Sequence, residues 1–210
     1  MDHLEEIAEK IHQSFETRTA ARDRALSQAR MLIRHCANAI RAVHRDENEN
    51  VEEHLREARC LVDALRGDLD SYPDLFHAGY TQDALKEYAE ANLVYALVNN
   101  KSIPSPAELH LEDATYLQGL AEAAIELRRR CLDLLLKENS EEAERMLSYM
   151  DDIYDVLVTM DYPDAITGGL RRLTDVLRGI TERTRGDLSL SLRQEHLEKS
   201  LKLLEGKLDI

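Results

Sequence analysis

Apolar residues recur three and four positions apart along most of the chain, which is the period of an amphipathic helix. This pattern predicts a first long helix over about Asp2 to Arg45, with or without a kink, ended by the polar run Asp46-Glu47-Asn48-Glu49-Asn50. A second helix is expected over Val51 to Asp68. Ser71-Tyr72-Pro73 and Gly79 then mark a connection, and a third helix follows over Thr81 to Asn99. Ile103-Pro104-Ser105-Pro106 reads as a loop, because proline cannot donate to a helical ladder. A fourth helix is expected over Asp113 to Glu138. Asn139 is the preferred cap of a fifth, since Glu142 stands three residues on and can reach back to the cap. Asp161-Tyr162-Pro163-Asp164 closes that helix, and a sixth runs over Gly168 to Leu204 with Gly186-Asp187 as a candidate break. Short connections between long helices predict an all-α fold: an antiparallel bundle of about six or seven long helices, in one domain over 1–210.

Composition agrees with this pattern. Leu, Ala, Glu and Arg dominate, while Gly (8) and Pro (4) are sparse. No run of ~18 apolar residues exists, so no membrane association is expected. The segment Met1-Asp2-His3-Leu4-Glu5-Glu6 is acidic and amphipathic, unlike a secretory or transit signal. Cys36, Cys60 and Cys131 are odd in number and widely spaced, which suits a reduced, cytoplasmic protein with its thiols packed in the core.

A net charge of −14 by itself argues against nucleic-acid binding. A local exception changes the picture. Between Arg24 and Arg45 there is no acidic residue, and Arg30, Arg34, Arg41 and Arg45 share one helical face. Leu26, Ala29, Ile33, Cys36, Ala37, Ile40 and Val43 form the adjoining apolar face. The plainer reading is that these arginines pair with acidic residues on other helices. The functional one is a track of guanidinium groups suited to bidentate phosphate contacts.

Two further features carry chemistry. The third helix is apolar nearly all round, yet it holds Glu87 and Glu90 three apart on one face. The fourth carries Gln118, Glu122 and Glu126 at spacings of four, continued by Arg130. A solvated helix edge explains the first pair, and an Arg130–Glu126 helix pair explains Glu126, but neither explains all four carboxylates together. Carboxylates entering a core are costly without a compensating cation. Oxygen ligands of this kind suit a hard cation, Mg²⁺ or Mn²⁺.

These motifs resemble a known family. Glu87-Tyr88-Ala89-Glu90-Ala91 is similar to the Glu-Tyr-x-Glu-Ala motif of Trax, the translin-associated factor. Tyr116-Leu117-Gln118-Gly119-Leu120-Ala121-Glu122, followed by Glu126-Leu127, resembles its second acidic motif, and Leu170-Arg171-Arg172 also looks familial. Translin itself lacks the first acidic pair, so the resemblance is to the catalytic Trax-like branch. It implies a helical bundle that assembles into a hollow octamer binding single-stranded or short duplex RNA inside. It also implies Mg²⁺-dependent endoribonuclease activity, with Glu87, Glu90 and Glu122 as metal ligands and Glu126 as a supporting catalytic residue. One departure is Glu122, where the family carries Asp. On this reading Arg30, Arg34, Arg41 and Arg45, with Arg128 and Arg129, line the RNA backbone, and a homo-oligomer encloses RNA or single-stranded DNA. Three other readings stand beside it. One is a non-catalytic translin-like binding assembly. Another is a di-iron bundle, disfavoured because Glu9/His12 is the only Glu-x-x-His spacing. The last is a plain scaffold bundle.

Overall fold

The computed structural model describes residues 2–208. Met1, Asp209 and Ile210 lie outside the described residues, and with them the ends of the 1–210 expectation. The described residues form nine helices and no strand: α1 (Asp2–His44), α2 (Asn48–Leu69), α3 (Pro73–Phe76), α4 (Gly79–Val98), α5 (Pro106–Leu109), α6 (Asp113–Leu136), α7 (Ser140–Val158), α8 (Asp164–Thr167) and α9 (Leu170–Leu208). Six of them are long, as the periodicity predicts. The other three are single turns. None of the described helices is long and apolar enough to cross a membrane.

The chain reverses where its sequence permits tight turns. Asp46 closes α1 with φ 60° and Glu138 closes α6 with φ 55°, and each is followed within two residues by the next helix. A left-handed residue just past a helix end lets the following amides reach the orphan carbonyls. Glu47 and Asn139 do this, donating to Ala42 O and Leu134 O at 3.0 Å. Asn139 caps α7 as expected, its Oδ1 accepting from the Glu142 amide at 3.3 Å. The reciprocal half of the capping box does not form there, because the Glu142 carboxylate is drawn to Arg145 instead. Ser105 and Glu108 form a complete box in the stretch expected to be loop, and it nucleates α5.

Packing follows the apolar faces. α1 lies against α2 and α4, α4 against α6, and α6 against the pair α7 and α9. α4 is buried on most of its circumference, from Thr81 and Ala84 through Tyr88, Ala91, Val94 and Val98. On α1 the buried line is Ala21, Ala25, Ala29, Leu32, Cys36, Ala39 and Val43, so Leu32 fills the place expected of Ile33, which is exposed. The core expectation for the thiols fails at Cys60, which is exposed while Cys36 and Cys131 are buried. Cys60 stands between Ala58 and Val62, whose side chains carry the inner face of α2. The expected break at Gly186-Asp187 is absent. Thr181, Thr184 and Leu188 stay buried through it and hold α9 on the bundle.

Both long terminal helices outrun the bundle. Every residue from His3 to Ala20 is exposed, and Leu4, Ile7, Ile11 and Phe15 form one bare stripe on this segment. Leu190, Leu197, Leu201 and Leu204 form another on α9.

Candidate functional site

Glu87 and Glu90 leave α4 on the side that faces α6, and Glu122 leaves α6 toward them. A ligand oxygen from each of the three lies within 4.8 Å of the other two, and all three side chains are half-buried. The approach depends on Gly119, one turn before Glu122. A Cβ at that position would stand 2.4 Å from Ala89 Cβ and 2.9 Å from the Lys86 carbonyl oxygen. The missing side chain therefore sets how closely the two carboxylate-bearing helices can pass, which is a physical reason for glycine in the Tyr-Leu-x-Gly sequence.

Crowding marks the site electrostatically. Burial, followed by the charges of Glu87, Glu122 and Glu126, pushes the Glu90 carboxyl up to about 8. Burial and the Glu122 charge likewise raise Glu87. Behind them on α1, burial and the charges of Glu87 and Glu90 drive the Cys36 thiol well above its ordinary range, so it stays protonated and is no nucleophile. The donor set fits a hard divalent cation. It is all carboxylate oxygen, drawn from two helices, and buried and crowded enough that one member, Glu90, holds a proton near neutrality.

Two residues of the site escaped the sequence reading. Lys86 donates from Nζ to Glu122 Oε1 at 2.8 Å, and its side chain is only 18% exposed. Desolvation pulls the ammonium down, but the hydrogen bond and charge of Glu122, with Asp83 and Glu87, outweigh it and hold it above the ordinary lysine range. His44, buried at the end of α1, brings Nε2 to 2.7 Å from Glu126 Oε1. Its Nδ1 is buried without a hydrogen-bond partner and lies 3.9 Å from Asp133. Lys86 sits beside Glu87 in sequence and was visible. His44 makes its contact across 82 positions, which no local pattern reports.

The remaining expected residues separate into two groups. Arg30, Arg34, Arg41 and Arg45 are all exposed, and none forms an ion pair among the described residues. Arg41 donates only to the Ala37 carbonyl one turn back. The plainer reading, that acidic neighbours absorb them, does not hold. Arg41 and Arg45 lie within one turn of His44, so the arginine stripe ends beside the acidic one. Arg129 is exposed and stands 3.7 Å from Glu126. Arg128 instead turns to α9, donating to Thr184 Oγ1 and Asp187 at 2.9 Å each. Arg130 pairs with Asp46 at 2.7 Å rather than with Glu126. Gln118 clasps α8, donating to the carbonyls of Thr167 and Gly168 at 2.9 Å.

No protein-family model matches the chain. Among curated proteins it is similar to the uncharacterized protein MJ0175 of Methanocaldococcus jannaschii, with 31% identity over 188 residues, 89% of this chain and 83% of that protein. Among solved structures it resembles AfC3PO in a complex with duplex RNA, at 30% identity and TM-score 0.82, over 89% of this chain and 97% of that one. AfC3PO alone matches over the same shares at 29% identity and TM-score 0.83. Apo-NeC3PO shares the fold at TM-score 0.81 and 20% identity, over 88% of this chain and 96% of that one.

Proposed function

Since this chain belongs to the C3PO (translin/Trax-type) family of AfC3PO, we propose that it is a Trax-like, Mg²⁺-dependent endoribonuclease acting on single-stranded or short duplex RNA. The observation that carries this reading is the meeting of Glu87, Glu90 and Glu122 within 4.8 Å at the α4–α6 contact. A relative bound to duplex RNA adds the substrate class.

Glu87, Glu90 and Glu122 would hold Mg²⁺, with Mn²⁺ as a substitute. The bound ion would supply Lewis acidity toward a phosphate oxygen and lower the pKa of water. Glu126 supports the cluster from one turn further along α6, fixed by the His44 imidazole at 2.7 Å. Arg30, Arg34, Arg41 and Arg45, which form no ion pair among the described residues, would follow the RNA backbone toward the carboxylates, joined by Arg129. Arg128 braces α6 against α9 through Asp187, so its part in RNA binding would be indirect.

The same reading makes the protein a homo-oligomer, most simply an octamer enclosing its substrate. The bare stripes Leu4-Ile7-Ile11-Phe15 and Leu190-Leu197-Leu201-Leu204 supply apolar contact surface for further copies. An enclosed basic lining beneath an acidic exterior reconciles RNA binding with a net charge of −14.

Glu122 also favours a second reading, in which the assembly binds RNA or single-stranded DNA without cutting it, because its carboxylate is engaged by Lys86. The deciding experiment is incubation of a labelled single-stranded RNA with the purified protein in Mg²⁺ and in EDTA. Cleavage in Mg²⁺ alone supports the nuclease. Retention of uncut RNA in both supports the binding assembly.

A further inference from the structure

The carboxylate cluster already contains a cation, covalently tethered. Lys86 precedes Glu87 by one residue and Glu90 by four on α4, and its Nζ crosses to α6 to meet Glu122 at 2.8 Å. The pair is shielded, with side-chain exposures of 18% for Lys86 and 24% for Glu122. Bulk water and salt therefore screen it far less than a surface pair. The bond joins the same two helices that the cluster joins, and the oxygen it occupies belongs to a carboxylate of the candidate ligand set.

Resting on the metal-site reading above, we propose that Lys86 is the resident counter-cation of this cluster and competes with the divalent ion for Glu122. A metal taking an oxygen of Glu122 must displace the ammonium or share the carboxylate with it, and it must bind beside a fixed positive charge. Both effects lower affinity. In return, the ammonium offsets part of the repulsion among Glu87, Glu90 and Glu122, so the α4–α6 contact closes before metal arrives. The site is thus one that folds unloaded and exchanges its metal readily. Without Lys86 it would bind metal more tightly and lean on metal to hold its helices together.

The test is calorimetric titration of the full chain with MnCl₂ at pH 7.5, with thermal melts in EDTA and in saturating Mn²⁺. The variants are Lys86→Met and Lys86→Gln; the second removes the charge and keeps a neutral donor on a side chain one atom shorter. Lys86→Arg serves as the charge-conserving control. Both neutral variants should bind Mn²⁺ about tenfold more tightly than the parent, a coupling of ordinary size. They should melt lower than the parent in EDTA and gain more from Mn²⁺, while Lys86→Arg follows the parent. Lys86→Gln reports on affinity even if Lys86→Met does not fold. Neutral variants that bind Mn²⁺ no more tightly than a parent that does bind it would overturn the role of Lys86 and leave the metal site standing. A parent that takes up no Mn²⁺ would overturn the metal site itself, and this role with it.

Discussion

The imidazole Nε2 of His44 lies 2.7 Å from Glu126 Oε1, and this contact ties the arginine-bearing helix α1 to the acidic stripe of α6. Both partners are sheltered, the His44 side chain at 4% exposure and Glu126 at 26%. A donor to a carboxylate in such surroundings is expensive to remove, because the carboxylate stays and loses its partner. His44→Ala is expected to lower unfolding free energy by about 1–3 kcal/mol, read from urea denaturation. His44→Gln, which keeps a donor, should recover part of that loss. A stability equal to the parent's in His44→Ala would mean the contact does not hold the helices.

Glu90 gives a pH signature. Its carboxyl is raised in the folded chain from 4.5 to about 8, so the folded state binds the proton more strongly than the unfolded state does. Its contribution is therefore most favourable below the unfolded value of 4.5 and is lost as pH rises through about 8. Glu90→Gln removes that loss. The variant should match the parent near pH 5 and exceed it by about 2 kcal/mol at pH 8, once relaxation and residual solvent access are allowed for. On the nuclease reading it should also cut no RNA while still binding it. Equal cleavage by the variant would make the cluster structural.

Metal uptake should carry the same proton. A divalent ion needs the ionised carboxylate, and Glu90 is largely protonated at pH 7 in the free cluster. Titration with Mn²⁺ in two buffers of different ionisation enthalpy should show net proton release at pH 7 that fades above pH 9. Uptake without proton release at pH 7 would place the ion away from Glu90.

Gly119 tests the geometry rather than the charge. In a helix interior Gly→Ala ordinarily gains about 1 kcal/mol. Here the new Cβ would meet Ala89 Cβ at 2.4 Å and the Lys86 carbonyl oxygen at 2.9 Å, and the latter belongs to backbone that cannot turn aside. Gly119→Ala should therefore lose about 1–3 kcal/mol and separate α4 from α6. The double variant with Ala89→Gly should recover only part, because the clash with the carbonyl remains. A Gly119→Ala protein as stable as the parent would show that the helices have slack.

The long helices were legible because each is amphipathic over many turns, and the carboxylates because each breaks an apolar run. What stayed hidden has a physical pattern. Single-turn elements such as α5 are too short for periodicity, although the Ser105/Glu108 box was readable as a cap. Cross-helix partners depend on the angle at which helices pack. Arg130 could have reached Glu126 along α6 but finds Asp46, and Arg128 finds Asp187. Lys86 stays hidden in the sequence because a lysine one residue before Glu87 and four before Glu90 reads as a solvated edge until the helix opposite is known. The exposure of Ile33 in place of Leu32 shows how a broad apolar face leaves its rotation about the helix axis uncertain by one residue.

The arginines separate binding from bracing. Arg30 and Arg34 are exposed and form no ion pair among the described residues, so each is available to a phosphate at little cost. Every phosphate neutralised contributes about 0.7–0.9 to the slope of log affinity against log salt. Arg30→Ala with Arg34→Ala should therefore weaken RNA binding and reduce that slope by about 1.4–1.8, with thermal stability near the parent's. Arg128 should behave in the opposite way. It is anchored to Thr184 and Asp187, so Arg128→Ala leaves the half-buried Asp187 without its ion-pair partner and should lower the melting temperature. Any fall in RNA affinity in that variant should follow the loss of folded protein rather than a change of slope. The measurement is RNA binding by anisotropy over a salt series, beside a melt of each variant. An unchanged slope in the Arg30/Arg34 double variant would move the RNA path off α1. A reduced slope in an Arg128→Ala protein of parental stability would put that guanidinium on the RNA.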